Sequence, residues 1–197
     1  MPKITAPAAP EPTLLFKTAA AWQRWLAKHH DTASGVWLRI AKAGAAATSV
    51  SCPDALEVAL CHGWIDGQRK ALDAQFFVQR YSPRAPRSNW SKINRDKALA
   101  LIASGRMQPG GLEEVERARA DGRWEAAYDG ARNATVPDDL QAALAANPTA
   151  AAFFATLSSQ NRYAVLFRIH HAKKPETRAR RIANFVQMLA RHETLHP

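Results

Sequence analysis

The stretch that decides the fold is Trp64-Ile65-Asp66-Gly67-Gln68-Arg69-Lys70-Ala71-Leu72-Asp73-Ala74-Gln75-Phe76-Phe77-Val78-Gln79-Arg80-Tyr81. Its two ends are aromatic and β-prone and its middle, Ala71–Ala74, is short and small, so it reads as two strands joined by a tight turn. Side chains alternate along a strand, so Phe76, Val78 and Arg80 share one face and Phe77, Gln79 and Tyr81 the other. Upstream, Gly35 introduces Val36-Trp37-Leu38-Arg39-Ile40, a further apolar, β-prone run. The sheet expected from these three segments is small and mostly antiparallel, over about 36–42, 64–70 and 75–82.

Around this sheet the hydrophobic period changes to that of a helix. Thr18 can cap a helix through about His30, with Trp22, Trp25, Leu26 and His29 on one face. Ser51 and Pro53 open a helix over Asp54–Cys61, ended by Gly63. After Pro83 the pattern stays helical. Helices are expected from Ser91 to Ser104, Leu112 to Ala120, Asp138 to Ala146, Pro148 to Leu157 and Gln160 to Ala172. A last one is entered at Pro175, with Ile182, Phe185, Val186 and Leu189 as its buried stripe. The fold class is therefore α+β, with a helical C-terminal half. Residues 1–12, rich in Pro and Ala, read as a disordered leader. Residues 13–197 read as one domain, sheet-containing over 13–88 and helical over 89–197.

The 197 residues are 47% hydrophobic, enough to bury a core without disulfide or metal staples. Lys and Arg number 27 against 17 Asp and Glu, a formal charge of +10. Such an excess favours encounter with nucleic acid, phosphorylated metabolites or anionic surfaces. It is concentrated over residues 69–97, with 8 basic and 2 acidic side chains, and over 162–181, with 7 and 1. Cys52 and Cys61 match no zinc spacing, and Cys61-His62 lacks the second cysteine of covalent haem attachment. No metal and no cofactor is expected. No run approaches the roughly 20 apolar residues of a membrane span, and no secretory signal precedes the domain, which points to the cytoplasm.

Three clusters stand out. In Gly63-Trp64-Ile65-Asp66-Gly67 the flanking glycines permit close backbone approach or positive φ, and Asp66 shares a face with Trp64 near Arg69. In Tyr81-Ser82-Pro83-Arg84-Ala85-Pro86-Arg87-Ser88-Asn89-Trp90-Ser91 two prolines stiffen a loop that offers guanidinium forks, an aromatic plane and a helix start, the parts of an anion receptor. In Lys173-Lys174-Pro175-Glu176-Thr177-Arg178-Ala179-Arg180-Arg181, basic residues crowd a helix N-terminus against its dipole. Each has a plainer reading as well: carboxylate–guanidinium pairs tying elements together, or a solvated basic face. No nucleophile elbow, phosphate loop, zincin motif or dinucleotide fingerprint is present.

Taken together, Cys61-x-Gly63-Trp64-Ile65-Asp66-Gly67, Pro83-Arg84-x-x-x-Ser88-x-Trp90-Ser91-x-x-Asn94, Gly105-Arg106-Met107, Asp121-Gly122-Arg123-Trp124 and Thr177-Arg178-x-Arg180-Arg181-Ile182 resemble the YdeI/OmpD-associated, or bacteriocin-protection, family. The likeness runs from about Thr18 to Leu189. It implies a link to antimicrobial-peptide resistance, envelope stress and an outer-membrane porin, and supplies no catalytic residues. The expected function is a binding protein with a basic, Trp-lined pocket for a small anionic ligand. Trp64, Asp66, Arg69, Arg84, Arg87, Ser88, Trp90, Ser91 and Asn94 are its candidate lining, with Trp124, Arg178 and Arg181 closing it. Two other classes stay open: an enzyme with Asp66 as general acid/base on an arginine-held substrate, and nucleic-acid binding through the two basic segments.

Overall fold

A computed structural model describes residues 10–197. The elements run β1 (Thr13–Leu14), α1 (Ala19–His29), β2 (Val36–Ala41), α2 (Cys52–Cys61), β3 (Trp64–Ala71), β4 (Phe76–Pro83), α3 (Lys92–Ala103), α4 (Pro109–Ala120), α5 (Asp138–Ala145), α6 (Pro148–Thr156), α7 (Ser159–His170) and α8 (Pro175–Ala190). The α+β expectation is met. The chain divides into two compact units. The first holds the described residues through Trp90 together with Asn94–Ala126, and the second holds Ser91–Ile93 with Ala127–Pro197. Among the described residues no helix is long and apolar enough to cross a membrane.

In the first unit the strand order is β1-β2-β4-β3. β2 and β3 both pair antiparallel with β4, and β1 pairs parallel with β2. One face of the sheet packs on α1 and α2 around Trp22, which has no exposed surface. Its indole meets Phe16 at 5.3 Å, Trp25 at 5.4 Å, Tyr81 at 5.8 Å and Trp64 at 6.3 Å. Its Nε1 donates to the Ala55 carbonyl at 3.1 Å, so the buried indole carries no unmet donor. All six tryptophans, at 22, 25, 37, 64, 90 and 124, belong to this unit. Caps stand where the sequence places them: Thr18 accepts from Ala21 N–H, and Ser51 from Asp54 N–H.

The second unit is helical. Asn147 and Ser158 cap α6 and α7, and Pro148 and Pro175 take first-turn positions that need no N–H. Its core joins Leu140 and Leu144 of α5, Phe154 of α6, Val165, Leu166 and Ile169 of α7, and Ile182, Phe185 and Leu189 of α8. Each such side chain, fully buried, contributes about 1.5–3 kcal/mol by leaving water.

Three features lie outside the sequence expectation. β1 is two residues long, too short to show a period, and the chain is tied down earlier than a leader over 1–12 implies. Residues 1–9 lie outside the described residues. Beyond them, Glu11 grips Arg80 through two hydrogen bonds of 2.5 and 2.7 Å, and the Pro12 carbonyl accepts from Trp37 N–H at 2.9 Å. α4 begins at Pro109, not Leu112. Gly110 and Gly111 form its first turn because α2 ends against them: a Cβ on Gly110 would lie 3.1 Å from the His62 carbonyl, and one on Gly111 would collide with that of Cys61. Finally, Trp124 and Tyr128, expected from the sequence to anchor one short element, fall in different units: the segment around Trp124 is a turn, and Tyr128 bridges to Ser91 within the second unit.

Gly63 combines both properties expected of it: φ is +74°, and a Cβ would come within 2.6 Å of the Gly110 carbonyl oxygen. Gly44, at φ +78°, has open space where its Cβ would stand. Gly63→Ala is expected to cost about 2–5 kcal/mol, left-handed strain plus overpacking, and Gly44→Ala about 1–2 kcal/mol, the strain alone. Urea titration of the two variants beside wild type measures the difference.

Candidate functional site

The positions of the candidate residues follow from one irregularity in the hairpin. Strict alternation would put Asp66 and Arg69 on opposite faces. The register slips between them: Asp66 pairs with Tyr81, and Arg69 with Gln79. Tyr81 and Gln79 are two apart on β4, so the bulge at Gly67-Gln68 returns Arg69 to the face of Asp66. Arg69 Nε donates to Gln79 Oε1 at 3.1 Å, Nη2 reaches Cys52 Sγ at 3.5 Å, and its guanidinium lies 4.3 Å from the Phe77 ring centroid. The Cys52 thiol is pushed up first by burial, so it is not an activated nucleophile. Asp66 is open to solvent at its surface, yet the protein packed around it raises its pKa above the ordinary carboxylate value. Its own backbone N–H, Arg69 and Arg84 pull the other way. None of the described residues forms an ion pair with it.

Arg84 is 4% exposed. Its backbone N–H donates to the Gly63 carbonyl at 3.0 Å, its Nη2 donates to Asn89 C=O at 2.7 Å, and its guanidinium stacks 3.9 Å from the Trp90 ring centroid. Trp90 meets Trp124 edge-on at 4.9 Å. Beside Trp124, Arg123 is 6% exposed. Its Nε donates to both oxygens of Asp121, at 2.8 and 2.7 Å, and its Nη1 donates to Ser88 C=O at 2.6 Å. The loop Ser88–Trp90 is thus clamped between two buried arginines. Glu114 of α4, 8% exposed, carries the opposing charge; its Oε1 accepts from Arg117 at 2.7 Å. Burial raises the Glu114 pKa, with Arg117, Arg84 and Arg123 opposing. Three atoms of this cluster meet no hydrogen-bond partner among the described residues: Arg123 Nη2, Trp90 Nε1 and Glu114 Oε2. An unmet buried donor or acceptor costs about 1–3 kcal/mol.

The structure therefore brings together Arg84, Ser88, Trp90 and Trp124, with Asp66 within electrostatic reach of both Arg69 and Arg84. Trp64 is a core residue, its Nε1 donating to His30 C=O at 3.0 Å. Arg87 is exposed and Asn94 half-buried in the first unit. Ser91, Arg178 and Arg181 fall in the second unit. There Arg178 holds Asp139 at 2.5 and 2.8 Å, and Arg181 donates to the Arg168 carbonyl. Arg123, quoted only within the motif Asp121-Gly122-Arg123-Trp124, and Glu114 are missing from the candidate lining read from the sequence. Glu114 stands on the stripe Gly111, Glu114, Val115 and Ala118, whose i, i+3, i+4, i+7 spacing marks it as inward-facing. Next to this cluster His62 is buried, its pKa lowered by burial and by His30, whose ring lies 5.3 Å away. Among the described residues no group of three or more His, Cys, Asp or Glu side chains is arranged to hold a metal ion.

For Glu114 the raised folded pKa means that the fold favours the protonated acid. That contribution is fully present below its ordinary value of 4.5 and is lost as pH rises through the folded value. Glu114→Gln, which keeps the shape without the charge, is expected to raise the urea midpoint at neutral pH, with the gain vanishing below pH 4.5. Titrations at the two pH values check it.

Comparison with known proteins divides the chain in a similar way. Residues 14–114 match the family model described as a domain of unknown function (DUF8412), and residues 133–192 match the model described as Bacteriocin-protection, YdeI or OmpD-Associated. The motifs at residues 61–107 thus lie within the first match and Thr177–Ile182 within the second. No curated protein and no solved structure matches the chain. With the first match covering just over half of its length, the chain belongs to the DUF8412 family, and over residues 133–192 it is similar to the bacteriocin-protection, YdeI or OmpD-associated family.

Proposed function

We propose that the protein is a binding protein for a small oxyanion, received by the buried Arg84–Arg123–Trp90–Glu114 cluster of the first unit. The observation that carries this reading is the set of unmet atoms. Arg123 Nη2 and Trp90 Nε1 are donors that need acceptors, and Glu114 Oε2 is an acceptor that takes a proton-bearing group. An oxyanion retaining one proton, such as hydrogen phosphate or bicarbonate, supplies both. Three guanidinium groups, Arg84, Arg117 and Arg123, stand against two carboxylates, Asp121 and Glu114, and burial already disfavours the ionisation of Glu114, so charge favours the same guest. The family description names bacteriocin protection; binding of this kind would serve a role in envelope stress or antimicrobial-peptide resistance. A second reading is supported by Asp66, an open carboxyl with a raised pKa between Arg69 and Arg84, which suits a general acid/base. Asp66→Asn would then abolish turnover while leaving affinity intact.

Calorimetric titration of the full chain with phosphate, sulfate, bicarbonate and a short oligonucleotide, at low and high salt, tests the proposal. Phosphate or bicarbonate is expected to bind with heat that survives high salt. Arg123→Gln is expected to weaken binding about 10- to 100-fold, the worth of a hydrogen bond to a charged group. Glu114→Gln, which replaces the Oε2 acceptor by an N–H donor while keeping the bond to Arg117, is expected to remove the preference for a proton-bearing anion, so that sulfate binds as tightly as phosphate. No small-anion heat at any pH, or equal affinity in Arg123→Gln that remains folded, overturns the reading. Binding of the oligonucleotide alone, lost steeply with salt, replaces it with nucleic-acid recognition.

A further inference from the structure

The second unit contains a cavity of about 150 Å³. Its walls come from α7, where Tyr163, Phe167 and His170 recur at the i, i+4, i+7 spacing of one helix face, and from Tyr128 and Asp129 ahead of α5 and Arg178 of α8. Tyr128 stands edge-on to Phe167, centroids 5.0 Å apart at 87°, and Tyr163 lies 5.8 Å from the same ring. The rings hold each other in place without filling the space between them and Pro137. We infer that this cavity is a binding site for an uncharged single-ring aromatic compound bearing an N–H or O–H donor, a phenol or a pyrimidine.

Size, charge and polarity each select that class. A cavity of about 150 Å³ has room for one benzene-sized ring. Both formal charges on its lining are already met: Asp129 Oδ2 by Lys92 Nζ at 2.7 Å, and Arg178 by Asp139 at 2.5 and 2.8 Å, with Arg178 Nη1 also donating to Ile169 C=O at 3.1 Å. A charged guest would lose its hydration and gain no net opposing charge. Asp129 nevertheless keeps its Oδ1 as an acceptor, and Tyr163, whose hydroxyl donates to the Asp129 carbonyl at 3.1 Å, fixes the loop that presents it. An aromatic wall with a carboxylate oxygen at its edge, the strongest acceptor among the lining side chains, suits a ring that bears a donor. This site is independent of the oxyanion cluster in the first unit.

The test is saturation-transfer NMR and calorimetry of the full chain with phenol, uracil and benzoate. Phenol or uracil is expected to bind and benzoate to bind more weakly than either. Ala134→Leu, which fills the cavity from its lining, is expected to abolish binding, and Asp129→Asn to weaken it about tenfold. Circular dichroism confirms that each variant is folded. Binding of uracil but not phenol, or the reverse, selects between the two sources of the ring. Failure of both to bind wild type, benzoate binding more tightly than either, or unchanged affinity in folded Ala134→Leu overturns the inference. Loss of phosphate binding in Arg123→Gln leaves this result untouched, so the two proposals fail separately.

Discussion

The first unit depends on one corner, Cys61-His62-Gly63, where three pieces of chain converge on a few carbonyl groups. α2 ends there, and Gln108 N–H donates to Cys61 C=O at 3.1 Å, fixing the approach of α4. Arg84 N–H donates to Gly63 C=O at 3.0 Å, fixing the loop that follows β4. Neither contact leaves room for a side chain, which is why Gly63, Gly110 and Gly111 face one another across it. Glu114 and Arg84, both buried, owe their proximity to this corner: one leaves it on a helix, the other on a loop. The charge cluster is thus a product of backbone packing, and its side chains take positions that glycine makes accessible.

Much of this was legible in the sequence because the signals were local. The hairpin, the caps at Thr18 and Ser51, the prolines at 148 and 175 and the stripe Ile182, Phe185, Leu189 each rest on residues a few positions apart. What escaped needed contacts between distant segments or a break in a period. β1 has no period to read, and its pairing depends on Glu11 reaching Arg80. Gly110-Gly111 looks like a helix breaker until α2 is seen against it. Of the candidate site residues, Arg84, Ser88, Trp90 and Trp124 do come together, whereas Arg123 stood in a motif with nothing to mark it as buried, and Glu114 reads as inward-facing only once α4 is known to begin at Pro109. Arg178 and Arg181 stand in the second unit, each holding partners of its own; helical spacing shows that they share a face, and says nothing of which neighbour that face meets.

The formal +10 also changes meaning once partners are known. Arg80, Lys92, Arg117 and Arg178 each hold a carboxylate, and Arg181 and Arg168 spend donors on backbone carbonyls. A guanidinium engaged in this way acts as a cross-link more than as a field source. The two units use basic residues differently. In the first, Arg84 and Arg123 are sequestered beside indoles; in the second, pairing neutralises the lining of an aromatic cavity.

The confinement of all six indoles to the first unit has a consequence for how this molecule reports on itself. Intrinsic tryptophan emission is a local signal of the sheet-bearing unit, silent about the helical one, which carries only Tyr128 and Tyr163 as phenols. Far-ultraviolet circular dichroism sums over the helices of both. A single cooperative transition would superimpose the two signals, while independent melting of the units would separate them. The distribution of one residue type along the chain thus gives each unit its own optical label without any engineered probe.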